Sequence, residues 1–379
     1  MAYGYFYHVP SLVGKLKPAT CKSCQDGDCF NFGTCEKCLA NQAYNTEYIE
    51  THSFIFDTRF KGYHTGNHEE IKCTPLRMPN EHPYLYYGIE VEVEFDTDDV
   101  CIYDPDDYDE DEYEEDDCDG DNWKIQDILY KFSEITDGLF VYERDGSLDN
   151  GVELISRPCS YAYWTSKDTV EKLKKGFEYL RSEGALVKQP DTNGMHIHIS
   201  KKFFDKGETK LQNRGEAYES FDWLFQKFQP EFEKLGGRKY TDYCQSKVEK
   251  LKKSLTDDYN VRNFNVDMEL KCTLKKGGPV PRGDHYSAIN MSGNTLEVRV
   301  FKSTTDYEQI LANIEIVRNI SHAVREVGID KSLDELLHTK DNIYLDRHIQ
   351  RVRMESKKNG EELDLTKVND NKIEISVKK

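Results

Sequence analysis

The stretch YYGIEVEVEF, residues 86–95, alternates acidic and apolar side chains over a segment with the composition of a β-strand. Side chains two positions apart in a strand lie on one face, so Glu90, Glu92 and Glu94 lie together while the intervening apolar residues face the core. Three adjacent carboxylates repel one another. Either a divalent cation such as Mg²⁺ or Mn²⁺ neutralises them, or the face is the solvated outer side of an antiparallel sheet.

Three further segments repeat this alternation of apolar and ionisable residues. They are GVELISRP (151–158) with Glu153, GMHIHIS (194–200) with His196 and His198, and TLEVRVF (295–301) with Glu297 and Arg299. A solvated face would be expected to carry lysine, threonine and serine instead. Glutamate, histidine and arginine are typical of metal-bound phosphate chemistry, so the pattern favours a metal and phosphate site.

Helical periodicity fills the gaps between the strands. The predicted helices are NWKIQDILYKFSEI (122–135), SKDTVEKLKKGFEYLRSEG (166–184), GEAYESFDWLFQKFQPEFEKL (215–235) and YEQILANIEIVRNISHAVREV (307–327). Gly184 ends the second of them at the position of a left-handed cap. The stretch YSAINMSGNTLEVRVF (286–301) indicates a hairpin that turns at SGN. Together these elements predict an α+β fold, with an antiparallel or mixed sheet and helices on one side.

Composition changes divide the chain into three regions. The main domain is predicted over residues 81–330, after an N-terminal region of residues 1–80 that ends in a proline-containing linker. Residues 331–379 form a strongly charged C-terminal extension, in which we expect a peripheral helix and a short terminal strand, KIEISV.

The segment CKSCQDGDCFNFGTCEKC, residues 21–38, carries two Cys-x₂-Cys pairs, Cys21 with Cys24 and Cys35 with Cys38. Four thiolates complete the closed tetrahedron of a structural Zn²⁺ site. Two alternatives remain open: the cysteines are ordinary thiols, or Cys29 replaces one of the four ligands. The odd total of 11 cysteines is awkward for a secreted protein and favours a reducing compartment.

The formal net charge of -19 is concentrated between Asp96 and Asp121, where sixteen residues are acidic and none is basic. Such a run cannot bury itself and predicts a disordered insertion within the main domain. A lid, a docking segment for a basic protein partner and loose divalent-cation binding are alternative functions. The remaining sequence is nearly neutral, and the lack of a basic surface argues against a nucleic-acid partner.

Hydropathy indicates the expected location of the protein. No stretch combines a basic start with the apolar run of a signal peptide, and none approaches the roughly 20 apolar residues of a membrane span. We therefore expect a cytoplasmic protein with no membrane partner.

At the level of whole motifs, the sequence resembles a known family. The segments GIEVEVEF, DGSL followed by GVELISRP, GMHIHIS, and YSAINMSGNTLEVRVFKST are similar, in this order, to the motifs of the amidoligases, relatives of glutamine synthetase and glutamate-cysteine ligase. The resemblance covers roughly residues 84–305. It implies an ATP-dependent enzyme that joins a carboxylate to an amine, on a sheet that curves around metal ions and nucleotide.

The resemblance also implies roles for individual residues. The implied Mg²⁺ or Mn²⁺ ligands are Glu90, Glu92, Glu153 and Glu297. The implied nucleotide contacts are His196, His198, Arg299, Arg238 and Arg282. The implied catalytic residues are Glu92, Arg299 and Asp145, the last from the DGS motif. Arg238, Arg282 and Asn290 flank the site in the family, and the two arginines are also candidates for binding an acidic substrate, although single loop arginines are commonly surface residues.

Two other classes of function remain as alternatives. The same carboxylates and histidines suit a metal-dependent hydrolase or nuclease, and the zinc module suits a non-catalytic binding protein. The chain has no G-x-x-x-x-G-K-[ST] loop, which agrees with phosphate binding through metals and arginine. For a ligase, the carboxylate and the amine could belong to amino acids, peptides or protein side chains.

Overall fold

The structure is a computed structural model, and it describes residues 76–78, 81–82, 84–95, 121–144, 148, 151–187, 193–205, 214–240, 244–246, 261–265, 287–290, 295–366 and 372–375. The chain divides into two compact units. The first comprises Met1–Lys188 with Ser303–Tyr307, and the second comprises Gln189–Lys302 with Glu308–Lys379.

The described part of the first unit contains antiparallel strands β1 (Tyr87–Phe95), β2 (Phe140–Arg144), β3 (Gly151–Ser156) and β4 (Ala185–Leu186). β3 lies between β1 and β2, and β4 pairs with the last two residues of β1. The apolar half of the β1 alternation is buried as predicted, with Ile89, Val91, Val93 and Phe95 each exposed by 1% or less. This apolar face is the reason that the segment forms a strand of a core sheet.

Helices α1 (Asp121–Ile135), α2 (Tyr161–Trp164) and α3 (Lys167–Ser182) belong to the same unit. Ser166 begins α3 by accepting a hydrogen bond from the Thr169 backbone N–H, and Gly184 follows its end at a φ of 89°. Phe132 of α1, Phe140 of β2 and Phe177 of α3 contact one another at ring-centroid distances of 5.3, 5.5 and 5.9 Å. These aromatic contacts hold α1 and α3 against the sheet.

The second unit contains two antiparallel groups of strands within its described residues. Strand β8 (Thr295–Lys302) lies between β5 (Gly194–Ser200) and the short β7 (Ile289–Asn290). Strand β6 (Val261–Asn265) pairs separately with β9 (Lys372–Ile375). The register between β5 and β8 shifts between Met195 and Ile197, so that His196 lies in an irregular stretch of the ladder.

The helices of the second unit are α4 (Lys202–Asp205), α5 (Arg214–Lys227), α6 (Gln229–Gly236), α7 (Tyr307–His322), α8 (Leu333–Leu337) and α9 (Leu345–Lys358). The single helix predicted over residues 215–235 is two helices, α5 and α6, which meet at Phe228. Pro230 lacks an N–H and is suited only to the first turn of a helix, so it begins α6 instead of continuing α5. The helix predicted over residues 307–327 likewise changes to a π-helical turn over Ala323–Val327.

A buried carboxylate connects α7 to the C-terminal segment. Glu315 is fully buried, and its two carboxylate oxygens accept hydrogen bonds from the backbone N–H groups of Ile343, Tyr344 and Leu345 at 2.9, 3.0 and 2.6 Å. These amides lie at the N-terminus of α9, where a negative charge is favourable.

The predicted α+β class is confirmed, because the described residues form antiparallel strands combined with helices, and the curvature of the sheet stays a prediction. The predicted C-terminal helix and strand correspond to α9 and β9. The zinc module and the acidic insertion up to residue 120 lie outside the described residues, and the three-region division and the placement of helices on one side of the sheet stay predictions. Among the helices that are described, none is both long and apolar enough to cross a membrane.

Candidate active site

Three glutamates form a row across the sheet of the first unit. Glu92 of β1 lies opposite Glu153 of β3, and Glu153 lies opposite Glu143 of β2. Residues that face each other in antiparallel strands project on the same side of the sheet. A carboxylate oxygen of Glu92 lies within 4.8 Å of one of Glu153. We call Glu92, Glu153 and Glu143 the carboxylate row.

Backbone hydrogen bonds show why the first two carboxylates are so close. The Ile89 N–H donates to Ser156 Oγ of β3 at 2.8 Å, and the Glu92 carbonyl accepts a hydrogen bond from the Ser303 hydroxyl. Odd-numbered residues of β1 therefore bond to β3, and Glu92 and Glu153 form a non-hydrogen-bonded pair. Such pairs have the shorter separation, about 4.5 Å between Cα atoms.

Burial decides between the two interpretations of the acidic face. Glu92 is only 4% exposed and Glu143 only 8%, while Glu153 is half-buried. A solvated outer face would leave these side chains in water, so that alternative is wrong for this row. Neighbouring buried carboxylates repel one another, and a bound cation would offset this repulsion, which favours a cation-binding role.

The other two glutamates of β1 have different surroundings along the same face. Glu94 is buried and lies opposite Gly151, and Glu90 is half-buried and lies opposite Ile155. Neither is opposite a second carboxylate in β3. The predicted face is therefore acidic along the whole of β1, and among the residues paired with β3 it meets a second carboxylate at Glu92.

A second polar row crosses the sheet of the second unit. His198 of β5, Glu297 of β8 and Asn290 of β7 lie side by side in register. Asn290 donates its amide N–H to Glu297 Oε2 at 2.8 Å, and the Arg299 guanidinium donates to Glu297 Oε1. Glu297 and Arg299 are each 7% exposed. We call Asn290, Glu297, Arg299 and the two histidines of β5 the mixed row.

The two histidines have different neighbours. His196 Nδ1 lies 3.6 Å from Glu297 Oε1, at the long end of an ion pair, and the residue is 3% exposed. His198 Nδ1 lies 3.0 Å from the Thr295 hydroxyl, and either group can be the donor depending on the imidazole tautomer. His196 is therefore the histidine that shares the Glu297 carboxylate, and His198 is held at the edge of the row.

Two buried arginines give the second unit a positive charge near this row. Arg238 follows α6, is 1% exposed, and donates from Nη1 to the Arg299 backbone carbonyl at 3.1 Å. Burial raises the pKa of the nearby Cys244 thiol to about 12, although the charges of Arg238 and Arg299 oppose this rise. Cys244 therefore stays a neutral thiol at physiological pH and is no candidate for a nucleophile.

The structure brings together some of the predicted site residues within each unit. Glu92 and Glu153 come together in the first unit, and His196, Asn290, Glu297, Arg299 and Arg238 come together in the second. The predicted residues that lie outside the described part of the chain are Asp145, Arg282, Cys21, Cys24, Cys35 and Cys38.

Sequence reasoning missed Glu143. The stretch FVYER has three uncharged residues followed by Glu143 and Arg144, so it lacks the alternation of apolar and ionisable residues that marks the other strands. The place of Glu143 depends on the register of β2 against β3, which sets it beside Glu153.

The donor set of the two rows fits a divalent cation and a phosphate. The carboxylate oxygens of the first row suit Mg²⁺ or Mn²⁺, and the planar Arg299 guanidinium of the second row suits phosphate oxygens. The same donors contain no thiolate, so a soft metal is disfavoured there.

Comparison with known proteins gives one match. A family model described as "Putative amidoligase enzyme" matches residues 84–321, more than half of the chain. The match includes every residue of the carboxylate row and of the mixed row. No curated protein matches the chain.

Proposed function

The chain belongs to the amidoligase family, and from this premise we propose that it is an ATP- and Mg²⁺-dependent ligase that joins a carboxylate to an amine. The observation that carries the proposal is the burial of the carboxylate row, because carboxylates this close are expected to need a cation. The amide or peptide-like product is formed from an acid and an amine of the amino-acid, peptide or protein-side-chain type.

The chemistry of the substrate explains the use of ATP. A carboxylate is a poor electrophile because an oxide ion cannot leave. One of its oxygens attacks the γ-phosphorus of ATP, and the bond from this phosphorus to the oxygen that bridges the β- and γ-phosphates breaks. ADP is the leaving group, and the acid becomes an acyl phosphate. The amine then attacks the acyl carbon, phosphate departs with the original carboxylate oxygen, and the amine loses a proton.

The carboxylate row is proposed to bind the divalent cation. Glu90, Glu92 and Glu153 serve as its ligands, with Glu143 as a neighbour that adds negative charge and a further oxygen. Bound Mg²⁺ supplies charge neutralisation for the phosphate oxygens and orients them. The row is held on a sheet with a buried apolar face, which fixes the position of the ligand oxygens before the substrate binds.

The mixed row is proposed to bind the nucleotide. Arg299 contacts the transferred phosphoryl group with its planar guanidinium, which Glu297 orients by accepting one of its hydrogen bonds. Asn290 in turn orients Glu297. His196 adds an imidazole nitrogen beside the same carboxylate. Glu297 keeps its assignment as a metal ligand.

Three assignments in this proposal rest on sequence alone. Asp145 of the DGS motif is assigned to catalysis and Arg282 to binding the nucleotide or the acidic substrate. The cysteine pairs of residues 21–38 are assigned to a structural Zn²⁺ site, which could also contact a protein partner.

The proposal is tested by isotope transfer. Purified protein is incubated with ATP, Mg²⁺ and a panel of ¹⁸O-labelled carboxylic acids, each with a panel of amines. We expect ADP only when an acid and an amine are both present, and we expect one ¹⁸O atom from the acid in the released phosphate.

Two results would reject the proposal. ADP formation with water as the only acceptor would indicate an ATPase, and hydrolysis of ester or phosphodiester substrates without ATP would indicate the hydrolase or nuclease class. An unlabelled phosphate in the presence of amide product would exclude the acyl phosphate step.

A further inference from the structure

The segment Gly236-Gly237-Arg238 lies against strand β8 more closely than side chains would allow. A Cβ added to Gly236 would lie 2.3 Å from the Val300 carbonyl oxygen, and Gly237, at a φ of 67°, forms a bridge with Phe301. Two glycines thus allow the end of α6 to touch the β8 backbone. Arg238 follows directly and enters the interior, although its loop position had suggested a surface residue.

Arg238 compensates for an interrupted hydrogen-bond ladder at Arg299. The Arg299 N–H donates to the Ala288 carbonyl at 2.9 Å, and in a regular antiparallel pair the Ala288 N–H would return a bond to the Arg299 carbonyl. The Ala288 N–H instead donates to the Gln245 carbonyl at 3.0 Å. The Arg299 carbonyl accepts from Arg238 Nη1 at 3.1 Å, which satisfies a buried backbone acceptor.

Gly194, the first residue of β5, leaves room for this guanidinium. A Cβ at position 194 would lie 2.2 Å from Arg238 Nη1 and 2.7 Å from His196 Nε2. Any larger residue would therefore displace Arg238 or His196. The φ of Gly194 is not in the left-handed region, so the requirement for glycine at this position is one of space.

From these contacts we propose that Arg238 is a positioning residue for Arg299. Its guanidinium replaces the absent ladder bond from Ala288 and thereby fixes the backbone from which the Arg299 side chain reaches toward the phosphoryl group. The inference rests on the proposed function, and it changes the expected role of Arg238 from direct contact with a ligand to an action through Arg299.

The test is calorimetric binding of the ATP analogue AMP-PNP in saturating Mg²⁺ to the full chain. We expect Arg238→Met to weaken binding about tenfold, as for the loss of one buried hydrogen bond. Arg238→Lys, which can still donate to the carbonyl, should restore part of the loss. The double variant with Arg299→Lys should bind no more weakly than Arg299→Lys alone, because both changes act through the same side chain.

A crowding variant leaves Arg238 itself unchanged. Gly194→Ala should weaken AMP-PNP binding although the arginine and its charge are retained. In the Arg238→Met background the same alanine should have a smaller further effect, because the flexible methionine can move away and only the close contact with His196 remains.

Two control variants separate positioning from a general loss of stability. Arg325→Met removes a comparable buried bond, from Arg325 Nη1 to the Phe203 carbonyl at 2.9 Å. Gly360→Ala strains a glycine at a φ of 74° without a steric clash. Both should lower the melting temperature and leave AMP-PNP affinity unchanged.

The outcomes distinguish this inference from the proposed function. The positioning role would be overturned if the AMP-PNP affinity of Arg238→Met were unchanged. It would also be overturned if the fold losses of affinity in Arg238→Met and Arg299→Lys multiplied in the double variant, and that result would indicate direct contact of Arg238 with the nucleotide. If the natural chain did not bind AMP-PNP with Mg²⁺, the proposed function would fail, and this inference would fail with it.

Discussion

The two polar rows differ in the residue types that they bring together. The carboxylate row places three glutamates side by side across neighbouring strands, whereas the mixed row surrounds the single carboxylate of Glu297 with an amide, a guanidinium and an imidazole. The positive charge of Arg299 is therefore part of the mixed row, and the carboxylate row is proposed to bind a cation. Similar alternating strands carry a row of like residues in one unit and a row of unlike residues in the other.

The largest effect that we expect is the loss of ligase turnover when Glu92 is replaced. Replacing Glu92 with glutamine removes the negative charge and one of the two oxygens of a proposed metal ligand. Ligase turnover should fall by about 10³-fold. The change also removes a repulsive charge, so the melting temperature in metal-free buffer should stay nearly the same. Product formation and thermal unfolding are measured on the same preparation. Strong unfolding of the variant would assign Glu92 a structural role.

The next effect compares stability between the rows in metal-free buffer. Glu297→Gln leaves the buried Arg299 without its partner charge and should lower the free energy of unfolding by about 3 kcal/mol. Glu153→Gln relieves repulsion in the carboxylate row and should leave that free energy unchanged or raise it by up to about 1 kcal/mol. Urea unfolding monitored by circular dichroism gives both values. Equal losses in the two variants would contradict the expected difference between the rows.

Arg299→Lys tests whether the mixed row binds phosphate through the planar guanidinium of Arg299. The lysine keeps the positive charge but loses the planar pair of donors, so turnover should fall by about 10²-fold. Steady-state kinetics with varied ATP is the measurement, and Arg325→Lys is the matched control in the same unit. Full activity of Arg299→Lys would show that only a point charge is needed there.

The smallest effect is expected at Glu143, the outer member of the carboxylate row. Glu143→Gln should weaken Mn²⁺ binding about tenfold, because the residue is separated from Glu92 by Glu153. Electron paramagnetic resonance of free Mn²⁺ during a titration reports the affinity directly. A loss of Mn²⁺ affinity as large as that in Glu92→Gln would make Glu143 a direct ligand. An unchanged affinity would exclude Glu143 from the cation site.

Local pattern was sufficient for much of this fold. The alternation in β1 correctly separated the apolar from the acidic residues, because the two-residue period of a strand is a local property. Helix α3 was predicted together with Gly184, which follows it, because the period of a helix and its terminal glycine are also local signals. The break between α5 and α6 was also encoded locally, by Pro230, but the apolar periodicity on both sides concealed it.

The remaining features depend on contacts between distant parts of the chain. The burial of Glu92 is not readable from YYGIEVEVEF, since the same alternation would suit a strand with one solvated face. The role of Glu143 depends on the register of β2, and the burial of Arg238 depends on the diversion of the Ala288 N–H to Gln245. Registers and diverted hydrogen bonds are set by tertiary structure and leave no periodic signal.

Glu315 has a practical consequence for anyone who shortens this protein. The family match ends at residue 321, but the three backbone amides that Glu315 binds come from residues 343–345. A truncation at the family boundary would remove these three hydrogen-bond donors and the segment that carries them from the buried Glu315 carboxylate in the middle of α7. The shortened protein should then unfold at a lower temperature than the full chain.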